Sequence, residues 1–386
     1  MVPGCDTVNK RITWKGILTV VLCAINFGIG CAYLSPLRHT PVWDLPQFYF
    51  AGKLVRQGQV ASIYDRAAYV PLVEELRRTD ERASQKSIYF NRPAFEAPLF
   101  VPLAYLTFHW AKVLAILANL ALLGVLVWIL PTWCGGGGYT RICLFVFMPF
   151  LYSVAFGQDT LVLTLFVSGA LYLTLQDRQV PAGVLFALAL FKPHLILAIP
   201  IALAFARKWR ALGVFLLSGG MLALLSFALV GSRGVLQWLE LLQAPSTDSV
   251  PMLMGNTRAL GLHFGPWAGM LGAGVAVACF GVILKCNSSV DKLTAAIVVG
   301  LLLSPHTYCQ DYSLLAVAAL ASGRPIARYV VLLPWPYFYP RPDIVPFTLV
   351  ALGYLITLAA EPLIHILVAW ARKTAINLST DRLRRA

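Results

Sequence analysis

Long apolar runs, separated by short polar joints, cover most of the chain. A helix needs roughly 20 apolar residues to span about 30 Å of hydrocarbon, and the apolar material suffices for ten or more such spans. We predict spans, several of them short for a full crossing, over residues 16–37, 108–130, 141–156, 160–176, 180–191, 193–206, 210–230, 266–284, 292–306, 312–322, 326–340 and 344–371. The pattern predicts an all-α polytopic membrane protein, a single domain over 1–386, with about 12 transmembrane helices and bounds of roughly 10 to 13.

The longest polar stretch, residues 38–97, follows the first apolar run. Apolar residues recur there at helical spacing after Asp44 and again after Asp65. We therefore expect a first external loop that carries two amphipathic helices lying at the membrane interface.

Basic residues cluster before the first run, at 207–210, at 324–328 and in the tail 372–386. Short loops rich in Lys and Arg stay in the cytoplasm, so the tail is predicted to be cytoplasmic. Twelve crossings then place five polar segments together outside, namely 38–97, 157–159, 192–194, a second external loop at 231–265, and 304–306. We predict that these segments, distant in sequence, converge on one membrane face.

The amino-acid composition excludes a soluble globular protein and argues against several kinds of ligand. Hydrophobic residues make up 59% of the 386 and charged residues 12%, which is too apolar for a soluble globule of this size. The net charge of +14 arises mostly at segment ends, which indicates topology signals and contacts with membrane lipids and argues against nucleic acid. The eight cysteines show no paired spacing and are interpreted as packed thiols. No metal-ligand or nucleotide-binding motif is present, so no metal or cofactor is predicted.

Asp44 is the first candidate for chemistry. Asp44-Leu45-Pro46-Gln47 fits a capping box, in which the carboxylate accepts an amide and Gln47 reaches back. Alternatively, a carboxylate that faces an external cavity is a general base for an acceptor hydroxyl. The sequence leaves both interpretations open.

Lys192 lies between Phe191 and Pro193 in apolar sequence, where an ammonium costs about 2.5 to 3.5 kcal/mol at the bilayer centre unless it finds a partner. The proline predicts a helix break at this point. Lys192 and His194 together indicate a pocket for an anion such as a phosphate. The alternative is a lysine at a helix end whose ammonium reaches the interface.

Four further candidates lie in the other external segments. Asp159 fits a helix N-cap, whereas the amide of Gln158 is suited to sugar hydroxyls. His306, after Ser304-Pro305, could hold a phosphate oxygen, pair with a carboxylate, or be an ordinary interfacial histidine. Arg92 and Arg258 are external cations for a phosphate, or else contacts of lipid headgroups.

An ordered set of short motifs resembles glycosyltransferase family 87, the polyprenol-phosphate-mannose-dependent α-mannosyltransferases of the GT-C fold. The resemblance covers roughly residues 40 to 320 of the chain. It rests on Asp44 with Tyr49-Phe50-Ala51-Gly52, then Ser62-Ile63-Tyr64-Asp65, Glu96-Ala97-Pro98-Leu99, Phe156-Gly157-Gln158, Phe191-Lys192-Pro193, Lys208-Trp209-Arg210-Ala211 and Ser304-Pro305-His306.

The resemblance implies a hexosyltransferase on the extracytoplasmic face of the bacterial inner membrane, active in glycolipid or cell-envelope synthesis. Its donor is a polyprenyl-phosphate sugar, with mannose as the default and arabinofuranose in some relatives, and its acceptor is a lipid or glycan hydroxyl. Transfer inverts the anomeric centre, and the role of base falls on Asp44. Cations such as Lys192, Arg92 and His194 are then aimed at the leaving phosphate.

Two other functions remain open on the sequence. A transporter or lipid flippase also suits an intramembrane Lys192 and broken helices, although no inverted repeat is detected. A non-catalytic assembly partner of a glycan pathway is a third hypothesis.

Overall fold

The computed structural model describes residues 44–79, 89–134, 138–243, 254–324 and 345–385, together with part of 17–28. These residues form a helical bundle with no strand among them. The α-helices are α1 Leu45–Arg56, α2 Arg66–Thr79, α3 Phe108–Cys134, α4 Gly138–Phe145, α5 Met148–Phe156, α6 Thr160–Leu175, α7 Gln179–Leu188, α8 Pro193–Ile196, α9 Ile199–Phe205, α10 Trp209–Gln243, α11 Thr257–Phe264, α12 Pro266–Leu284, α13 Ser289–Leu303, α14 Ser313–Ala321 and α15 Val345–Arg385. Short 3₁₀ helices lie at Val60–Ser62, Ala94–Phe100, Leu103–Tyr105, Ala189–Phe191 and Cys309–Tyr312.

Four described helices are long and apolar enough to cross a membrane. Their spanning portions are Phe108–Trp133, Trp209–Gln243, Pro266–Leu284 and Phe347–Val368. Shorter apolar helices occupy Thr140–Phe156, Thr160–Leu175, Gln179–Phe191, Pro193–Phe205 and Cys309–Ala321. The protein is a multi-pass, all-α membrane protein.

The predicted count of about twelve crossings is not confirmed. The predicted span 326–340 and most of 16–37 lie outside the described residues. Elsewhere the apolar runs are divided into pieces, such as α4 and α5 with 8 and 9 residues. At 1.5 Å per residue, a helix of that length rises only about 13 Å, less than half of the hydrocarbon thickness.

The two helices predicted in the first loop are present, and α1 is buried on most of its surface. Phe48, Tyr49 and Phe50 point in different directions around α1, and each is less than 5% exposed. The helix also packs so closely on the Ala94–Phe100 segment that a Cβ at Gly52 would overlap the backbone of Phe100. α1 is therefore a core helix of the loop, and its position at the membrane interface stays a prediction.

α2 matches the prediction better. Tyr69, Leu72 and Leu76 are buried on one side, whereas Val70 and Arg77 on the other side are exposed. This alternation is the helical spacing that predicted an amphipathic helix.

The first loop is attached to α10, which is longer than expected. The helix continues to Gln243 past a kink at Gly231, where φ is 66°. Ser226 accepts a hydrogen bond from the amide of Phe95 at 3.1 Å, and Trp238 donates to the carbonyl of Asn91 at 3.1 Å. The segment predicted as a second external loop, 231–265, is thus largely helical where it is described, and the predicted tail 372–386 is helical to Arg385.

α13 is the central helix of the bundle. Its residues from Lys292 to Leu302 are all buried, and it packs against α9, α8, α12, α14 and α15. A helix that is apolar all round is expected to be surrounded by protein or lipid. Ser304, Pro305 and His306 directly follow its C-terminal end.

Candidate active site

The start of the first loop is attached to the turn between α5 and α6. The amide of Asp44 donates to the carbonyl of Phe156 at 3.2 Å. Phe156 is the last residue of α5, and Gly157 closes that helix in the left-handed conformation, with φ of 66° and ψ of 35°. Asp44 therefore lies beside the turn that carries Gln158 and Asp159.

Lys192 is the centre of a buried polar cluster beside this turn. Its ammonium nitrogen lies 2.9 Å from Oδ1 of Asp159 and 2.9 Å from Oδ1 of Asp311. It also donates to Oγ1 of Thr160 at 2.5 Å and to Oε1 of Gln158 at 3.3 Å. The side chain is 2% exposed, so the lysine lies inside the protein with polar partners and does not reach an interface.

The helix break predicted at Lys192 is present. α7 ends at Leu188, the 3₁₀ turn Ala189–Phe191 follows, and α8 begins at Pro193. Lys192 itself has φ of −120° and ψ of 68°, which is not helical. The break allows the Lys192 side chain to point between α6 and the Cys309–Tyr312 segment.

Arg92 brings the end of the first loop to the same cluster. Its Nε lies 2.9 Å from Oδ2 of Asp159, and its Nη2 lies 3.3 Å from Oε1 of Gln158. Burial alone raises the pKa of Asp159, but Arg92 and Lys192 outweigh it and lower that pKa to about 2. Asp159 is thus a carboxylate held between two cations.

Asp311 completes the cluster from the segment that follows His306. Its Oδ2 accepts the amide of Tyr308 at 2.9 Å, while its Oδ1 faces Lys192 and lies 3.5 Å from Oγ1 of Thr160. Asp311 is 2% exposed. Four chain segments, from 92, 158–160, 192 and 311, therefore meet at one set of ion pairs.

Glu96 is a fifth buried member with a different charge state. It is 3% exposed, and burial together with the neighbouring Asp159 carboxylate holds its pKa well above the usual range. Within the described part of the chain, its Oε2 is buried without a hydrogen-bond partner. Both features favour the protonated, neutral form of Glu96 beside the Asp159 carboxylate.

His194 and His306 lie on the adjacent side. Their ring centroids are 6.2 Å apart at nearly a right angle, and His306 also contacts the ring of Tyr308 at 4.7 Å. Burial lowers the pKa of His306 to about 4; Arg92, Lys192 and Arg258 act in the same direction, against Asp311. His306 is therefore neutral at pH 7.

Residues 254–258 hold the His306 segment in place. Asn256 caps α11 and donates to the carbonyl of Ser304 at 2.9 Å, and the amide of Gly255 donates to the carbonyl of Thr307 at 2.8 Å. Arg258, two residues further on, is exposed. It is a basic side chain on the exposed edge of the site.

The structure thus brings six of the seven predicted site residues together through contacts or electrostatic interactions: Arg92, Gln158, Lys192, His194, His306 and Arg258. The seventh, Asp44, is joined to them through the backbone of Phe156. The five polar segments are thus in contact with one another, and their common position on one membrane face stays a prediction.

Two capping interpretations are wrong. Asp44 and Asp159 both occupy N-cap positions, yet neither side chain makes a capping hydrogen bond to its helix in the described structure. Both have αR backbone angles, with ψ of −12° and −2°, whereas a capping residue typically has extended angles. The Asp159 carboxylate is directed at Arg92 and Lys192 instead.

Sequence reasoning did not assign roles in the site to Asp159, Asp311, Thr160 and Glu96. A usable signal was present, because an acidic residue inside apolar sequence is costly unless it has a partner. Asp311 directly precedes the predicted apolar run 312–322 and pairs with such a partner, Lys192.

The fold and the cluster together describe a multi-pass membrane protein with ionisable groups gathered in its interior, the setting in which membrane enzymes and transporters place their function. The profile of glycosyltransferase family 87 matches residues 90–305, more than half of the chain. The chain belongs to glycosyltransferase family 87 and is a membrane glycosyltransferase. Comparisons with curated proteins and with solved structures gave no significant match. The matched segment includes five of the six clustered residues; it ends one residue before His306 and does not include Asp44.

Proposed function

We propose that the protein transfers a sugar, with mannose as the default, from a polyprenyl phosphate carrier to a hydroxyl of a lipid or glycan acceptor. Transfer takes place on the extracytoplasmic face of the bacterial inner membrane and inverts the anomeric centre. The observation that carries the proposal is the hydrogen bond from Asp44 to Phe156. It supports placing the first-loop carboxylate beside the polar cluster of the family-matched segment.

Asp44 acts as the general base in this proposal. Its carboxylate takes the proton of the acceptor hydroxyl while the acceptor oxygen forms a bond to the anomeric carbon. The bond between that carbon and the phosphate oxygen breaks, and the electron pair leaves with the polyprenyl phosphate. A phosphate is a good leaving group, so the step requires stabilisation of negative charge and no general acid.

The phosphate is held by groups at the accessible edge of the site. Arg258 is an exposed basic side chain, and His194 and His306 are half-buried. A neutral His306 contributes an N–H donor. Arg92, Lys192 and Gln158 belong to the same site, but the ion pairs and hydrogen bonds of the cluster already engage all three.

The test is transfer of radiolabelled mannose from polyprenyl phosphate to a membrane-lipid extract by the purified protein. Asp44→Asn should reduce the rate by at least about a hundredfold, the range of general-base catalysis. Asp65→Asn is the matched control, because Asp65 lies in the same loop and its capping oxygen, which accepts from Ala67, is kept by Asn. Equal rates for wild type and Asp44→Asn would refute the assignment of the base.

The product gives an independent readout. Inversion predicts that the anomeric configuration in the product is opposite to that in the donor, which NMR of the purified glycolipid measures. Absence of transfer from every lipid-phosphate sugar, combined with movement of a substrate across vesicles, would favour a transporter.

A further inference from the structure

The net charge of the buried cluster determines how strongly it attracts a phosphate. Arg92 and Lys192 face Asp159 and Asp311, and Glu96 is held as a neutral acid. The two positive and two negative charges cancel. A neutral cluster supplies little net attraction for a phosphate.

The contacts of Lys192 show how completely it is engaged. An ammonium has three protons, and the nitrogen of Lys192 has four acceptors within 3.3 Å, two of them carboxylates. With the side chain 2% exposed, a phosphate could bind it only by displacing Asp159 or Asp311. That exchange would leave a carboxylate buried without its partner, which costs about 3 to 5 kcal/mol.

The cluster connects the elements on which the proposed base depends. Asp159 lies three residues after Phe156, the residue that holds the amide of Asp44. Asp311 lies five residues after His306 and fixes the amide of Tyr308. Lys192 bridges the two aspartates and so fixes the distance between the turn beside Asp44 and the segment of His306.

We infer that Lys192 is a positioning residue, which acts through Asp159 and Asp311 to hold Asp44 and His306 in place, and is not a ligand of the donor phosphate. This inference rests on the proposed function for its kinetic part. Its structural part, the mutual dependence of Lys192 and Asp311, does not.

The experiment is a double-mutant cycle with Lys192→Met, Asp311→Asn and the combined variant, each purified in detergent. Thermal unfolding, kcat and the donor KM for polyprenyl-phosphate mannose are measured, with kcat normalised to folded protein. Lys192→Met alone should lower the unfolding temperature, because two buried carboxylates lose their bridge. The double variant should recover part of that loss, since one cation and one anion leave together.

Asp311→Asn keeps the shape of the side chain and remains informative where Lys192→Met does not fold. A positioning role predicts a kcat reduced by about tenfold, the size of effect expected when reacting groups are displaced by a fraction of an ångström, with an unchanged donor KM. Lys292→Met is the control lysine, because Lys292 is also buried but donates to the carbonyl of Phe205. Its effect should add to that of Asp311→Asn without coupling.

Two results would overturn the inference. Additive losses of stability in the Lys192 and Asp311 cycle would show that the pair does not act as a unit. A donor KM that changes by more than about threefold in Asp311→Asn, beyond the scatter of uncoupled sites, would show that Lys192 binds the donor. If wild-type protein transfers no sugar, the proposed function fails, and the unfolding cycle alone decides between coupling and additivity.

Discussion

The amide of Asp44 and the carbonyl of Phe156 form a hydrogen bond of 3.2 Å, which joins the first loop to the turn between α5 and α6. This contact links a carboxylate outside the family-matched segment to Gln158 and Asp159 inside it. The position of Asp44 therefore depends on the conformation of a three-residue turn, and that conformation depends on Gly157.

Gly157→Ala should impair catalysis more than folding. Gly157 has φ of 66°, and an alanine in the left-handed region costs about 1 to 2 kcal/mol. The turn relaxes by shifting the carbonyl of Phe156, and a displacement of about 1 Å at a reacting group can reduce the rate by a hundredfold. We expect a small fall in unfolding temperature and a large fall in kcat in the mannosyl-transfer assay.

Gly58→Ala is the matched control for Gly157→Ala. Gly58 has φ of 73° and open space around it, and it lies at the opposite end of α1 from Asp44. It should show a similar loss of stability with an unchanged kcat. Equal effects of the two substitutions on kcat would contradict a special role of the Gly157 turn.

Gly300→Ala should disturb the site through the helix break. A Cβ at Gly300 would overlap the carbonyl oxygen of Leu195. Leu195 belongs to α8, the short helix that begins directly after Lys192. Overpacking a tight contact costs about 1 to 3 kcal/mol. We expect a clear drop in the unfolding temperature, measured in detergent, together with reduced transfer.

Gly281→Ala provides the comparison for Gly300→Ala. Gly281 is also helical, in α12, and nothing lies within 4 Å of its added Cβ. Alanine is favoured over glycine inside a helix by about 1 kcal/mol, so this variant should be as stable as wild type or more stable. A destabilised Gly281→Ala beside a stable Gly300→Ala would refute the packing argument.

Arg258→Gln tests the accessible edge of the site. Arg258 is exposed and its charge acts on His306, so we expect it to contribute a charge-assisted hydrogen bond to the donor phosphate. Losing such a bond costs about 1.5 to 3 kcal/mol, which corresponds to a donor KM raised by roughly ten- to a hundredfold. The control is Arg178→Gln, an exposed arginine beyond the far end of α6, whose donor KM should not change.

The helical segments and their meeting point could be predicted from the sequence, whereas the pairing inside the site could not. Continuous apolar runs predicted α3 and α12, and the proline at 193 predicted the helix break at Lys192. Both signals are local in the sequence. The partners of Lys192 lie 33 residues before it, at Asp159, and 119 residues after it, at Asp311. No local pattern specifies contacts over such separations.

The burial of α1 shows a second limit of the sequence. Lys53 and Arg56 made the helix resemble an interface helix. Their side chains extend away from the helix, so their charged groups lie at the edge of the loop. Lys53 pairs with Glu75 at 2.7 Å, and the guanidinium of Arg56 lies over the ring of Tyr105 at 4.7 Å. Long basic side chains can bury their stems while their charges stay near water, so a basic residue does not mark an exposed helix face.

Oxidative cross-linking tests the packing of the first apolar run. Sγ of Cys23, in the described part of that run, lies 3.3 Å from Sγ of Cys143 in α4. Mild oxidation should join these thiols, because a disulfide requires Cβ atoms about 3.5 to 4.5 Å apart and this pair is already in contact. Mass spectrometry of digested protein should find the Cys23–Cys143 peptide, and Cys143→Ser should lose it. Cross-linking of Cys23 to another thiol would place the first run elsewhere.

Glu96→Gln should stabilise the protein increasingly as pH rises. Burial and the Asp159 carboxylate raise the folded-state pKa of Glu96 well above 4.5, so folding keeps a proton that the unfolded chain releases. The contribution of this carboxyl to stability is complete below pH 4.5 and is lost as pH rises toward the folded-state pKa. Glutamine has no such proton, so the wild type should lose up to about 1.4 kcal/mol per pH unit relative to the variant.

Unfolding temperatures of Glu96→Gln and wild type between about pH 5 and pH 8, above the ordinary pKa of a glutamate, measure this difference. Glu75→Gln is the control, because the Glu75 side chain lies in the same loop but is 60% exposed. The difference between wild type and Glu96→Gln should widen with pH, whereas that for Glu75→Gln should not. A constant difference for Glu96→Gln would mean that Glu96 is ionised in the folded protein, and the cluster would then carry a net negative charge.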